Sequence, residues 1–408
     1  MTGDGAPGKV LHLLSQRPGL TGSGVTLDRL VHHAAAAGWR QRVIVGVPAD
    51  APEVSVGGLP AEHVRPLRFE TDELPFPVPG MSDVMPYPST VFSSMSERRW
   101  EQYRSAWRRH LERTRERFQP AVIHTHHVWV LSALVKDVFP RTPVVTHCHA
   151  TGLRQMRLCP EATESVRTGV ARNEVFLALH QGMVAQLRDE LGVEERRIHV
   201  VGAGFRGDLF HRGQGSARTR ADIAYVGKIA AAKGLDSLLD ALERLWLRLP
   251  EVRLHVAGAG SGAEAQALSR RMEALGARVI RHGQLDQRQL APLLRRCGVF
   301  VLPSFYEGLA LVLVEAVACG CRIVATDLPA VREQIAPRLG DAIELVALPG
   351  MSAVDTPLRQ DLPPFAERLE AALARALRRD DPVAAVKLDE FTWQAVFRRV
   401  ERVWRGMI

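Results

Sequence analysis

The sequence predicts an α/β protein of two Rossmann-like domains with parallel sheets, and three observations lead there. At 408 residues the chain exceeds what one hydrophobic core usually supports. Apolar runs of strand length alternate with segments of helix length in two separate series. A polar, Gly-rich stretch from His211 to Ala221 separates the series. The expected organisation is therefore a first domain over 1–210, a second over 211–388, and a closing helix over 389–408 that returns toward the first.

Val10 to Leu14 reads as a buried parallel strand, followed by a glycine-bearing loop, Gly19 to Gly24, and a helix from Val25 to Ala37. Gln41 to Val47 supplies the second strand, and similar units recur at Ala121 to His126 and Pro143 to His149. Between them lies a Pro-rich stretch from Pro66 to Ser94, where prolines bar a helix or central strand and imply a surface segment or the rim of a cleft. A helix over Glu97 to Phe118 carries eight arginines interleaved with glutamates, which reads as an ion-paired, solvated face with Trp100, Tyr103 and Trp107 turned toward the sheet. Contact with an anionic membrane is the lesser reading of that face.

In the second series, strands are expected at Ile223 to Val226, Val252 to Ala257, Arg278 to His282, Val299 to Pro303 and Arg322 to Thr326. Strands alternating with helices give parallel sheets whose ligands bind beyond the C-terminal strand ends. The last helix, Phe391 to Trp404, gathers Phe391, Trp393, Val396, Phe397, Val400 and Val403 into one apolar stripe.

A formal net charge of +8 suits an anionic partner, whether a phosphorylated ligand, a membrane surface or nucleic acid. No zinc finger, basic heptad region or aromatic RNA-binding strand pair is present, so nucleic acid is not the expected partner. Cys148, Cys159, Cys297, Cys319 and Cys321 are odd in number and lack metal-ligand spacing, which points to the reducing cytosol. The polar stretch from Met1 to Lys9 is not a signal peptide, and Glu315 interrupts the richest apolar run, so no membrane span is expected.

The most specific motif runs from Pro303 through Glu307, Gly308, Leu309 and Ala310 to Glu315. It passes from a strand end through a glycine into a helix whose first N–H groups lack helical partners, a natural seat for phosphate. Glu315 is an unexpected carboxylate in an apolar helix. The plainer reading makes the pair a capping and a structural glutamate. Upstream, Gly227-Lys228 and Lys233-Gly234 follow the first strand of the second series, where two ammonium groups could neutralise a leaving diphosphate. Solvated surface lysines are the alternative.

Together with the Val256-Ala-Gly-Ala-Gly260 turn and the closing Phe391-Thr-Trp393, these motifs resemble the retaining GT-B transferases of glycosyltransferase family 4 over almost the whole chain. That resemblance implies a nucleoside diphosphate sugar donor, an unidentified hydroxyl acceptor (a glycan, lipid-linked or small molecule) and no metal or other cofactor. It gives Lys228 and Lys233 the diphosphate, Glu315 the ribose hydroxyls, Glu307 the transferred sugar, and the backbone of Gly308, Leu309 and Ala310 the phosphate or sugar. Gly283 and Leu285 fall beside the nucleobase. Gly22, Ser23 and Gly24 match the family's glycine loop, whereas a dinucleotide fingerprint is missing because Leu27 stands where its third glycine would fall.

Histidines crowd two strand ends, His124-Thr-His126-His127 and His147-Cys-His149. A zinc site is the less favoured reading, since carboxylate and cysteine partners are not arranged around them. His149 resembles the family's active-site histidine, His126 stands at the neighbouring strand end, and His147 is the alternative cleft residue because a one-residue slip exchanges strand faces. Three departures stand out: Lys228 where arginine is common, Gly152 where the family often has aspartate, and Arg206 where it commonly has an acid. The implied protein is a cytoplasmic hexosyltransferase, with peripheral attachment to the inner membrane face as an added option. Two rivals are a nucleotide-sugar epimerase on the same fold and a catalytically silent nucleotide-sugar-binding protein.

Overall fold

The computed structural model describes residues 8–83, 85–213, 218–260 and 262–408. The N-terminal expectation up to Pro7 and the linker at 214–217 lie outside them. The chain forms two compact units, Met1–Gly204 with Trp393–Ile408, and Phe205–Thr392. The first division falls after Gly204 instead of at His211.

In the first unit the strands are β1 (Lys9–Leu14), β2 (Arg40–Pro48), β3 (Leu67–Phe69), β4 (Val122–His126), β5 (Val144–His147), β6 (Val175–Ala178) and β7 (Ile198–Val200). The helices between them are α1 (Gly22–Ala36), α2 (Glu97–Arg117), α3 (Val130–Val138), α4 (Ala150–Leu158), α5 (Pro160–Ala171) and α6 (Gln181–Leu191). They form one parallel sheet in the order β3-β2-β1-β4-β5-β6-β7. Leu11, Leu13, Ile123 and Val144 face a core shared with Trp100, Tyr103 and Trp107 of α2. The alternate residues Val10, Val122, Val145 and Leu177 face a second core, closed by Trp393, Val396, Phe397, Val400 and Trp404. Period-two alternation thus gives each strand two dry faces, as a buried parallel sheet requires.

In the second unit the strands are β8 (Thr219–Val226), β9 (Arg253–Ala257), β10 (Val279–Gly283), β11 (Cys297–Leu302), β12 (Arg322–Thr326) and β13 (Ile343–Val346). Its helices are α7 (Leu235–Leu245), α8 (Gly262–Ala274), α9 (Gln287–Arg296), α10 (Leu311–Ala318), α11 (Ala336–Leu339) and α12 (Leu362–Arg378). The sheet is parallel in the order β10-β9-β8-β11-β12-β13. Both sheets therefore reverse direction of growth beside their first strand, between β1 and β4 and between β8 and β11. Such a reversal opens a crevice outside the C-terminal strand ends.

Several expectations need correction. Gly22, Ser23 and Gly24 form the first turn of α1 and not a loop, because Thr21 caps the helix through an oxygen that accepts from the Gly24 N–H. The strand expected to reach His149 stops at His147, and His149 is the N-cap residue of α4. The Pro-rich stretch contains β3 and a two-residue strand pair, Pro79–Gly80 with Thr90–Val91. Phe391 leaves the closing stripe for the second unit's core, and α13 (Trp393–Arg405) packs within the first unit, with Trp404 completing its apolar face.

On α2 the three aromatics are buried, while Arg108 pairs with Asp137 at 3.0 Å and Arg109 pairs with Glu73. No helix among the described residues is long and apolar enough to cross a membrane. All five cysteines are unpaired and buried, and burial pushes every thiol above its usual range.

Candidate functional site

The crevice position in the second unit holds the charged motif. β8 ends at Val226 and leads into Gly227-Lys228, while β11 ends at Leu302 and leads into the Pro303–Glu307 loop. The two loops are tied together by the backbone, since the Phe305 N–H donates to the Ala232 carbonyl at 3.0 Å. Gly234 makes that approach feasible. Its φ of +66° is costly for other residues, and a Cβ there would lie 2.0 Å from the Pro303 carbonyl oxygen.

This packing puts the Lys233 ammonium 2.8 Å from Oε1 of Glu307, with both side chains about four-fifths buried at 22% and 19% exposure. Lys233 also donates to the Tyr306 carbonyl at 3.2 Å, and the Ser304 hydroxyl donates to the same Glu307 oxygen at 2.7 Å. Lys228 is exposed and has no ion pair among the described residues. Its backbone is held by the Tyr225 hydroxyl, which donates to the Lys228 carbonyl at 2.7 Å. Burial, with the Glu307 charge adding to it, pushes the Tyr225 phenol up and keeps that donor protonated. The turn packs on its neighbour: Gly227 donates to Ala257 at 3.0 Å, and Gly258 donates to Gly283 at 2.8 Å.

Gly308, Leu309 and Ala310 lead into α10, whose N-terminus has no side-chain cap. Glu315 lies within α10 at 8% exposure, with no side-chain partner among the described residues, and burial raises its carboxyl from the usual value to about 7. Leu285 is partly buried against the α10 core, just beyond Gly283. Of the four charged residues, the structure joins Lys233 directly to Glu307. No side-chain hydrogen bond or ion pair among the described residues joins Lys228 or Glu315 to that pair.

The first unit's crevice is differently furnished. At the end of β1, Gln16 donates to Thr21 at 2.8 Å and to Ser23 at 2.6 Å, and so stiffens the turn that the Thr21 cap begins. Gly24 is required there, since a Cβ would lie 2.6 Å from the Gly19 nitrogen; at Gly22 it would meet open space.

The strand histidines share the sheet face covered by α13. His12 pairs with His124 across β1 and β4, and His126 with His147 across β4 and β5. The rings stack, with His124 to His126 at 5.0 Å, His126 to His147 at 5.5 Å and His147 to His149 at 4.8 Å between centroids. His126 Nδ1 and His149 Nε2 are hydrogen-bonded at 3.1 Å. Burial holds all of these rings neutral, and only His149 keeps appreciable surface, 9% against 0% for His147 and 1% for His126. His127, next in line, adopts a left-handed φ of +70°.

Nitrogens of His124, His126 and His147 lie within 4.8 Å of one another, close enough to suggest a metal site. The donor set does not fit one. Trp404 can only donate, and its indole N–H bonds His124 Nδ1 at 3.1 Å. That nitrogen's lone pair is occupied, the neutral ring's proton sits on Nε2, and two ligands remain.

Two of the departures have local explanations. A Cβ at Gly152 would lie 2.9 Å from both the nitrogen and the oxygen of Val128, so a larger residue would push α4 away. Arg206 forks onto Asp208, with Nε to Oδ1 at 3.1 Å. Nothing in the structure explains lysine at Lys228.

Sequence reasoning missed Tyr225, Ser304, Thr21 and Gln16. Thr21 was detectable as a capping residue before a helix. The other three act through bonds that no period encodes.

Residues 21–204 match the Glycosyl transferase 4-like domain, and residues 208–341 match Glycosyl transferases group 1. The chain is 32% identical over 238 residues to a D-inositol 3-phosphate glycosyltransferase of Xylanimonas cellulosilytica, covering 50% of this chain and 55% of that protein. It is 27% identical over 311 residues to a glycogen synthase of Mycobacterium tuberculosis, covering 70% and 69%. The chain thus spans about half the length of the first relative. Among solved structures, sucrose-phosphate synthase from Thermosynechococcus elongatus superposes with a TM-score of 0.64 at 18% identity, over 98% of this chain and 99% of that one. HepE of Anabaena, in complex with UDP and glucose, gives 0.63 at 15% identity, over 97% and 99%. With the two units matched in turn and the same paired Rossmann-like fold in solved structures, the chain belongs to the group 1 glycosyl transferases and has their GT-B fold.

Proposed function

We propose that the protein moves a hexose from a nucleoside diphosphate sugar to a hydroxyl acceptor with retention of anomeric configuration and without a metal. The observation that carries this reading is the Lys233–Glu307 pair at the β8/β11 reversal, beside the uncapped start of α10. Glu307 balances the Lys233 charge. A bound diphosphate takes over the ammonium and leaves Glu307 to accept hydrogen bonds from the sugar hydroxyls.

As the anomeric C–O bond to the diphosphate breaks, charge grows on the leaving oxygens. Lys233, Lys228 and the free N–H groups near Gly308, Leu309 and Ala310 stabilise that charge. The acceptor oxygen bonds the anomeric carbon on the same face, and its proton passes to the departing diphosphate. Glu315, whose carboxyl titrates near neutrality, holds the ribose hydroxyls, and Gly283 and Leu285 flank the base. His149, with His126 behind it, stands at a strand end of the first unit, where Gly22, Ser23 and Gly24 offer backbone on the acceptor side of this reading. The unpaired buried cysteines suit the cytoplasm, where nucleotide sugars are available.

Incubation with a panel of nucleotide sugars and hydroxyl acceptors, with the product anomer read by NMR, tests the reading; an inverted product rejects it. The silent-binder reading draws on Gly152 and Arg206, which leave two family carboxylates absent. Nucleotide-sugar binding without transfer or hydrolysis across the same panel would decide for it.

A further inference from the structure

A second charged cavity lies at the opposite end of the second unit's sheet. It encloses about 420 Å³ and is lined by Arg212, Arg218, Arg220, Arg322 and Arg379. Arg220 stands near the start of β8 and Arg322 begins β12, whereas Lys228 and Glu307 follow the C-terminal ends of β8 and β11. The cavity is therefore separate from the candidate donor site.

Its charges do not cancel. Arg220 pairs with Asp380, Arg322 pairs with Asp381 at 2.7 Å, and Arg379 reaches Asp341 at 3.1 Å and Asp381 at 2.8 Å. Arg212 and Arg218 have no carboxylate partner among the described residues. Arg212 donates to the carbonyls of Val383 and Ala384, and Arg218 to the Cys319 carbonyl at 2.5 Å. A guanidinium carries five N–H donors, so both keep most of theirs for another acceptor.

The backbone leaves room for this. Gly320 has a φ of +91°, and a Cβ there would lie 2.5 Å from the Arg218 guanidinium. The missing side chain lets that guanidinium lie flat against the wall. Five guanidiniums facing three carboxylates in a concave wall leave a local excess of positive potential. Planar guanidiniums match phosphate oxygens two at a time. The volume falls within the range of small-ligand sites.

We propose that this cavity is a second anion site taking a small phosphate-bearing molecule, a phosphomonoester or a diphosphate. Its occupant would tie Arg212, on the segment leading into the unit, to the Arg379–Asp381 segment after α12. The site is independent of the proposed transfer reaction.

Calorimetric titration of the full chain with inorganic pyrophosphate, in a Lys233→Ala background that weakens the donor site, tests it. Saturable binding is expected there, weakened about tenfold or more by Arg212→Gln or Arg218→Gln. Arg212 is exposed, so Arg212→Gln reads binding without threatening the fold. Inorganic phosphate and glucose 6-phosphate in parallel titrations separate a bare phosphate site from one that recognises a phosphorylated metabolite. Absence of binding in the Lys233→Ala background, or affinity unchanged in both arginine variants, overturns the proposal. Competition by sulfate at equal concentration would also overturn it, by reducing the site to an adventitious ion only.

Discussion

The turn from β1 into α1 and the turn from β11 into α10 each leave a strand that flanks the reversal point of its own sheet, yet they treat the helix N-terminus in opposite ways. Thr21 caps α1, and Gln16 braces the cap. At α10 the corresponding residue is Ala310, which has no side-chain acceptor to offer. One turn is capped by a side chain and adds stability; the other has no side-chain cap, its Leu311 and Leu313 N–H groups being taken by the Leu309 and Ala310 carbonyls, and leaves the dipole end open to a ligand. The same division runs through the titrating groups. The first unit buries a column of neutral histidines, and the second buries one strand histidine, His255 beside Asp222, together with a carboxyl at its proposed nucleotide site.

Acid sharpens this contrast most. Burial disfavours the imidazolium, so His12 is lowered to about 4 and His127 and His147 to about 3, below the unfolded value of 6.5. The unfolded chain then takes up protons first. Stability is present above pH 6.5 and falls as pH drops through 6.5 toward 3–4, by about 1.4 kcal/mol per histidine per pH unit. Glu315 has the opposite sign. Its carboxyl is raised to about 7, so its contribution is present below 4.5 and lost as pH rises through 7. Hydrogen exchange at pH 7.5 and pH 5 should show β1, β4 and β5 losing protection before β8 and β11. Equal loss in both sheets would break the comparison.

The next effect is catalytic. Lys233→Ala should lower kcat/KM for transfer by about 10²–10³, with an unchanged circular dichroism spectrum, because a prepositioned cation on the leaving group is removed. A smaller effect is expected from Ala310→Asp, which places a carboxylate at the start of α10. Calorimetry with nucleoside diphosphates should show affinity reduced about tenfold, the cost of one charge-assisted contact. Unchanged affinity would mean that α10 does not seat phosphate. The smallest effect falls on stability alone. Thr21→Ala should cost about 1 kcal/mol in urea denaturation and leave nucleoside diphosphate affinity within about twofold.

Much of this architecture was legible in the sequence because strands buried on both faces are short runs rich in apolar residues, as β1, β2, β11 and β12 are. Four strands escaped notice, β3, β6, β7 and β13, all of four residues or fewer, although β6, Val175-Phe-Leu-Ala178, is wholly apolar. β3 is Leu67-Arg-Phe69 at one sheet edge, and β7 is Ile198-His-Val200 at the other, each with a polar central residue that blurs the pattern. Glycines at Gly22 and Gly24 read as a loop because their low helix propensity outweighed a single threonine cap.

The charged motifs were equally legible as motifs, since Lys228, Lys233 and Glu307 stand on strand-to-helix turns and Glu315 within the helix that follows the last of them. Their division of labour was not. Nothing in linear spacing distinguishes Lys233, locked to Glu307 by the Gly234 turn, from Lys228, which projects unpaired. The histidines illustrate the converse. Their spacing left metal chemistry as the less favoured option, and it carries no sign that the indole of Trp404, far along the chain, occupies a His124 nitrogen.

The buried cysteines make the native chain silent toward maleimide reagents, which are attacked only by accessible thiolates. Cysteines introduced at exposed positions, such as Leu247 in one unit and Arg98 in the other, would then be the sole labelled sites without any native thiol being replaced. A fluorophore pair attached there would follow the separation of the two units in solution as nucleotide and acceptor are added.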